Sequence, residues 1–162
     1  MQLTKVKKKV SVKTSDGGLR DKNWYYSWYE IDGDYKDVRD SNPNCSTKDD
    51  CNTYSYTNAV NVQGLCGAKD WRLPTKVELM KLVLCSDGKY NADDGKCTNI
   101  FSVTRPTINT TYFPDVTQKY PWFWSSTPYT GYSDGAWIVA FHGGYSEYYG
   151  KVDGSYIRLV RG

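Results

Sequence analysis

The C-terminal segment 121–162 alternates large apolar residues with runs of Tyr, Ser, Gly and Asp. Around Val139 the alternation has a period of two, which is typical of a strand with one face on a core. We therefore predict a core face formed by Trp137, Val139 and Phe141 and an outward face formed by Ile138, Ala140 and His142. The apolar residues predicted to belong to the core of this segment are Trp122, Trp124, Trp137, Val139, Phe141, Ile157, Leu159 and Val160.

Two short helices are predicted in the middle of the chain. The first covers Thr53 to Leu65, with Thr53 as its N-cap and Gly64 as its end. The second begins after Thr75, because Thr75 and Glu78 have the spacing of a capping box. The residues predicted to face inward are Tyr56, Ala59 and Val60 in the first helix and Val77, Leu79, Met80, Leu82, Val83 and Leu84 in the second.

The length of 162 residues fits a single domain, which we predict to span 1–162. Residues 1–13 alternate lysine with valine or leucine and predict an exposed basic strand or tail. Five lysines in that segment exceed the net charge of +3, so the remainder is slightly acidic. A nucleic-acid partner is therefore not expected. No apolar run is long enough for a transmembrane segment, and none is predicted.

The five cysteines predict disulfides and an extracytoplasmic location, either secreted or anchored at the cell surface. They form no CxxC pair and His142 is the only histidine, so we expect no metal site and no cofactor. Cys85–Cys97 is the favoured disulfide. For a second one, Cys51–Cys66 competes with Cys45–Cys51 and Cys45–Cys66, and the sequence leaves these alternatives open.

Seven segments, in order along the chain, carry a family resemblance. They are SDGGLRDKNW (15–24), NAVNVQGLCG (58–67), DWRLPTKVELMKLV (70–83), RPTINTTYFPD (105–115), FWSSTPY (123–129), AWIVAF (136–141) and YIRLVRG (156–162). Together they resemble the bacterial domain family named after the C-terminal domain of the Legionella collagen-like adhesin. The resemblance implies export, ligand binding and a C-type-lectin-like fold, shared with the formylglycine-generating enzyme superfamily. We thus expect an α+β domain with two short helices around a small twisted antiparallel sheet.

Catalysis is not expected. Sulfatase-activating relatives in that superfamily hold copper with late cysteines, whereas the last cysteine here is Cys97. Ser133, Asp134 and His142 contain the residue types of a catalytic triad, but none lies in a nucleophile elbow. The calcium-dependent sugar motifs of true C-type lectins are also missing. Arg158 and Arg161 are interpreted as internal ion-pair residues rather than as an anion site.

The polar runs between Tyr129 and Tyr156 predict a ligand-binding surface, since tyrosine gives large contact area at low entropic cost. Its predicted residues are Tyr129, Tyr132, Ser133, Asp134, Ile138, Ala140, His142, Tyr145, Ser146, Tyr148, Tyr149, Asp153 and Tyr156. The expected partner is a protein or glycan on another cell, or on a phage or host surface, and the domain could act as an oligomer.

The same runs suggest the variable proteins of diversity-generating retroelements, which some members of the family resemble. The segment holds no asparagine, and nearly all its residue types are reachable from an asparagine codon. Glu147 does not fit this pattern, and Lys151 is interpreted as an invariant position. The alternative is an invariant adhesin domain that binds a sulfated polysaccharide as an oligomer.

Overall fold

The computed structural model describes residues 25–29, 52–89, 96–99, 101–114, 116 and 121–162. Its elements are helix α1 (Thr53–Gln63), a 3₁₀ turn (Leu65–Gly67), helix α2 (Lys76–Met80) and strands β1 (Trp122–Pro128), β2 (Gly135–Ala140) and β3 (Tyr145–Gly150). The strands form an antiparallel sheet in the order β1-β2-β3. An α+β class with two helices and a small antiparallel sheet is therefore confirmed. The predicted basic segment 1–13 lies outside the described residues.

Helix α1 begins at Thr53, as predicted, but its N-cap lies one residue earlier than the sequence predicts. Its N-cap is Asn52, whose side chain accepts a hydrogen bond from the Ser55 amide at 2.9 Å. The Thr53 hydroxyl, predicted to be the cap, instead accepts a hydrogen bond from the Tyr29 amide. The helix ends at Gly64 in the left-handed conformation, as predicted. Tyr56 and Val60 are buried, and Ala59 is half-buried.

Helix α2 has the predicted capping box. The Thr75 hydroxyl accepts from the Glu78 amide, and the Glu78 carboxylate accepts from the Thr75 amide at 2.9 Å. Arg72 donates two further hydrogen bonds to this carboxylate. The predicted apolar face is only partly correct, because Val77 is 61% exposed and Leu84 is 51% exposed. The helix ends at Met80, so its period does not continue to Leu84.

The sheet has a core on each of its two faces. Trp124, Ala136 and Ile138 pack into a first cluster, whereas Phe123 and Val139 pack into a second. The first cluster also contains Tyr26, Trp28, Tyr56, Val60, Ala68, Trp71, Ile157 and Leu159. The second also contains Leu79, Val83, Cys85, Cys97, Val103, Ile108, Val116, Phe141 and Tyr156. Both faces of β2 are thus buried, and the expectation that one face meets solvent is wrong.

Two tryptophans join the segment 25–29 to β1 through their indole N–H groups. Trp28 Nε1 donates to the Ser125 carbonyl at 2.7 Å. Trp124 Nε1 donates to the Tyr26 carbonyl at 2.6 Å. Both bonds are buried and both cross the first cluster. A buried indole N–H without an acceptor would cost about 1–3 kcal/mol, so these bonds fix how the two segments pack.

The Cys85–Cys97 disulfide is formed, as predicted, with both cysteines buried in the second cluster. Cys66 is a free, exposed thiol, so the two predicted pairings that use it are wrong. Cys45 and Cys51 lie outside the described residues, so Cys45–Cys51 stays a prediction.

Candidate functional site

Four aromatic rings cluster where the β1–β2 connection meets β3. Tyr129 is central: its ring centroid lies 5.9 Å from that of Tyr132, 5.1 Å from Trp137 and 5.0 Å from Tyr148. Tyr132 and Tyr148 also contact each other at 5.6 Å. Tyr132 is 62% exposed and Tyr148 is 39% exposed. We call these four residues the aromatic platform.

Strand register explains why these rings meet. Trp137 of β2 is directly opposite Tyr148 of β3, so their side chains leave the same face of the sheet. Gly135 donates its amide to the Tyr132 carbonyl, and its own carbonyl accepts from the Tyr129 amide at 3.0 Å. The connection between β1 and β2 is therefore folded back beside the sheet, and its two tyrosines reach the cross-strand pair.

A lysine of α2 contacts the aromatic platform. The Lys76 ammonium lies 3.6 Å from the centroid of the Trp137 ring, within cation–π range. The Lys76 amide donates to the Thr127 hydroxyl of β1 at 3.0 Å, which holds the start of α2 against the strand. Lys76 is not among the predicted site residues. Trp137 is predicted to belong to the core, whereas its side chain is half-buried. Trp137 and Val139 share one face of β2 by the period of two, and this period does not reveal that the buried core stops short of Trp137.

Ser133 and Asp134 occupy the exposed turn that follows Tyr132, so these predicted site residues do lie beside the platform. The Asp134 carbonyl accepts a hydrogen bond from the Lys151 amide at 2.8 Å. The Lys151 side chain is buried, with its ammonium 4.5 Å from the Trp28 ring centroid. That lysine therefore supports the turn from inside and does not present its charge to solvent.

A second aromatic group surrounds His142. The Trp122 indole N–H donates to His142 Nδ1 at 3.1 Å, so Nδ1 carries no proton. The neutral ring then has its proton on Nε2, which lies 3.1 Å from the Tyr145 hydroxyl oxygen. Tyr149 contacts the Trp122 ring at 5.2 Å. His142, Tyr145 and Tyr149 are half-buried and are brought together with Trp122, on the sheet face opposite the platform.

Burial and nearby charges set the ionisation of this group. Burial first, and then the charge of Arg105, lower the pKa of His142 below its ordinary value of 6.5, while Glu147 acts weakly in the opposite direction. Burial and Glu147 raise the pKa of Tyr145 above 10.0. At neutral pH the imidazole is therefore uncharged, which is the state that its hydrogen bond from Trp122 requires.

Four residues predicted to bind ligand are buried instead. Ile138 and Ala140 are fully enclosed because the first cluster covers their face of the sheet. Ser146 is also buried. Tyr156 packs on Phe123 and donates its hydroxyl proton to Tyr25 at 2.6 Å, and burial raises its pKa. None of the four offers a contact surface. Asp153, half-buried in the turn after β3, lies outside both aromatic groups.

The chain matches one known protein family over most of its length. The family model described as the Lcl C-terminal domain matches residues 10–161. The chain belongs to this family. No match to the chain was found among curated proteins or among solved structures. The match confirms the resemblance drawn from the sequence, and it includes every residue of the platform and of the His142 group.

Arg158 and Arg161 have structural roles in this Lcl C-terminal domain. Arg158 is buried, with its guanidinium 4.9 Å from the ring of Phe113 and 5.3 Å from that of Phe123. Arg161 forms an ion pair with Asp70 at 3.1 Å. The Asp70 side chain is 60% exposed, so this ion pair lies at the surface and Arg161 is not the internal ion-pair residue that the sequence predicts. The Arg158 guanidinium lies near two aromatic rings. Neither residue belongs to the platform.

Within the described ranges of the domain, no three of the side chains His, Cys, Asp and Glu lie close enough together to hold a metal ion. Among the helices that the structure describes, none is long and apolar enough to cross a membrane.

Proposed function

We propose that the chain is a non-catalytic, adhesin-type domain that binds its partner through the aromatic platform. The exposure of Tyr132 and Tyr148, combined with ring contacts that hold both in place, carries this proposal. Exposed tyrosines give large contact area and a hydroxyl for hydrogen bonding. Because ring contacts already restrict the rotamers of these two tyrosines, binding a partner would cost little additional side-chain entropy.

Membership of the Lcl C-terminal domain family supports the rest of this proposal. We further propose that the domain has a C-type-lectin-like fold and an extracytoplasmic location. The Cys85–Cys97 disulfide is consistent with an oxidising compartment. The partner is a protein or glycan on another cell, or on a phage or host surface.

A second candidate is an invariant domain that binds a sulfated polysaccharide as an oligomer. Lys76 favours it, because its ammonium brings a positive charge to the platform, 3.6 Å from the centroid of the Trp137 ring. Lys151 gives no such support, since its side chain is buried over Trp28. Replacement of Lys76 by Gln separates the two candidates: loss of binding confined to sulfated glycans would favour the second.

Diversification by a retroelement is a further part of the proposal, limited to the positions that reach solvent. Tyr132, Ser133, Asp134 and Tyr148 are exposed and could change without disturbing a core. Sequencing residues 121–162 across a clonal population tests this. An invariant segment, or frequent polar replacements at the buried Ile138, would contradict diversification of this surface.

The binding proposal is tested with one variant and a matched control. The variant Tyr132→Ala plus Tyr148→Ala removes the exposed part of the platform, whereas Tyr112→Ala removes a 76% exposed tyrosine elsewhere. Each protein is applied to a glycan array and to a pull-down of cell-surface proteins. We expect binding to weaken by at least about tenfold in the platform variant only, as for hot-spot tyrosines. Unchanged binding by a folded platform variant would refute the proposal.

A further inference from the structure

Two glycines lie directly beneath rings of the aromatic platform. A Cβ atom placed on Gly131 would lie 2.5 Å from Cε1 of Tyr129. A Cβ atom placed on Gly135 would lie 2.4 Å from Cδ2 and 2.5 Å from Cε2 of Tyr148. Carbon atoms in contact are normally about 3.5–4.0 Å apart, so neither ring could keep its position over an alanine.

Backbone conformation does not require glycine at these two positions. Five glycines of the described chain have a positive φ angle, and Gly131 and Gly135 are not among them. An alanine could therefore adopt the local backbone without the strain of the left-handed region. What the glycines supply is space next to the backbone, and in both cases a tyrosine ring occupies that space.

We propose that Gly131 and Gly135 are positioning residues of the binding surface: the missing side chains let the Tyr129 and Tyr148 rings lie against the backbone and so fix the shape of the platform. This inference rests on the proposed function for its consequence in binding. Its geometric part stands on the described contacts alone.

The effect of Gly131 extends through Tyr129. That ring contacts Tyr132, Trp137 and Tyr148, so its displacement changes three further contacts at once. Gly135 acts on Tyr148, which also contacts Tyr132. Each glycine thus affects the position of Tyr132, the most exposed ring of the platform, through the tyrosine that it contacts.

Substitution at these glycines should change the platform without unfolding the domain. The atoms that an added Cβ would meet at 2.9 Å or less belong to tyrosine rings that are half-buried or exposed, and such rings can rotate toward solvent. The two glycine positions are therefore coupled to the tyrosine positions, and neither can vary independently while the platform is kept.

The first measurement needs no binding partner. Tyrosine and tryptophan ring resonances are recorded by NMR for the wild type, Gly131→Ala and Gly135→Ala, with Gly150→Ala as the control. Gly150 is opposite Gly135 in the sheet, but its added Cβ would meet only the Asp153 carboxylate, with Oδ2 at 2.7 Å. We expect shifted ring resonances of Tyr148 in Gly135→Ala and of Tyr129 in Gly131→Ala, urea midpoints no lower than that of the wild type, and neither ring shift in the control. Unshifted rings in both variants would overturn the inference.

The second measurement is binding to the immobilised neutral and sulfated oligosaccharides of the array and to the captured surface proteins. We expect both glycine variants to bind about tenfold more weakly, comparable to loss of a hot-spot contact. In a Tyr148→Ala background, Gly135→Ala should cause no additional loss, because the displaced ring is already absent. An additional loss there would overturn the role assigned to Gly135. Shifted rings with full binding would instead refute the platform as the binding surface.

Discussion

Gly144, in the turn between β2 and β3, is the position where a single methyl group should cost most. It has a φ angle of +68°. A Cβ atom there would lie 2.4 Å from Cys97 Sγ, 3.0 Å from Val83 Cγ1 and 3.2 Å from Thr107 Oγ1. All three neighbours are buried, and the sulfur is held in a disulfide. In contrast to the platform tyrosines, these atoms cannot rotate into solvent.

Two costs add in the Gly144→Ala variant. Placing an L-residue in the left-handed region costs about 1–2 kcal/mol. Forcing a methyl group into a packed core costs typically about 1–3 kcal/mol. The free energy of unfolding should therefore fall by about 2–5 kcal/mol, a large part of the stability of a domain of this size.

The control is Gly88→Ala. Gly88 has a nearly identical φ angle of +67°, but nothing lies within 4 Å of its added Cβ. The two variants share the backbone cost and also the entropy that alanine removes from the unfolded chain. Urea unfolding at equal slope thus gives the packing cost as the difference between them. If Gly144→Ala is no less stable than Gly88→Ala, the packing argument is wrong.

Further predictions concern His142 and the disulfide. The pKa of His142 is lower in the folded state, so the unfolded chain binds a proton at His142 more readily than the folded chain does. The contribution of His142 to stability is therefore present above about pH 6.5 and is lost as pH falls through the folded-state pKa. Urea midpoints from about pH 8 to about pH 5 should fall more steeply for the wild type than for His142→Asn; parallel curves would contradict this. Replacing both Cys85 and Cys97 by Ser opens a loop with a sequence separation of 12 and should cost about 3 kcal/mol of unfolding free energy, whereas Cys66→Ser should cost almost nothing. Equal midpoints for the two serine variants would show that the disulfide does not stabilise the fold.

The features that the sequence predicts correctly depend on short spacings. The Thr75–Glu78 capping box and the helix end at Gly64 each involve residues within one turn, and the structure contains both. The N-cap of α1 was misplaced by one residue because Asn52 and Thr53 are both good caps and neighbours. The preference for Cys85–Cys97 was also correct, since the two cysteines enclose a short polar loop.

The errors concern what covers each face of the sheet. The period of two assigns Val139 and Ile138 to opposite faces correctly. It cannot show that residues as distant as Tyr26 and Leu159 cover the face of Ile138, because those contacts are not local. The exposed tyrosines were recognisable from composition, whereas the participation of Lys76 depends on how α2 packs against β1.

The indole hydrogen bonds of Trp28 and Trp124 have a consequence for folding during synthesis. They join residues that are 97 and 98 positions apart, and such non-local contacts slow folding. At synthesis rates of about 5–20 residues per second, Trp28 emerges roughly 5–20 s before Ser125. For that time the aromatic residues of 25–29 lack the strand that covers them. The Trp28 indole therefore has no Ser125 carbonyl to bond until β1 has been made, and this part of the first cluster cannot form earlier.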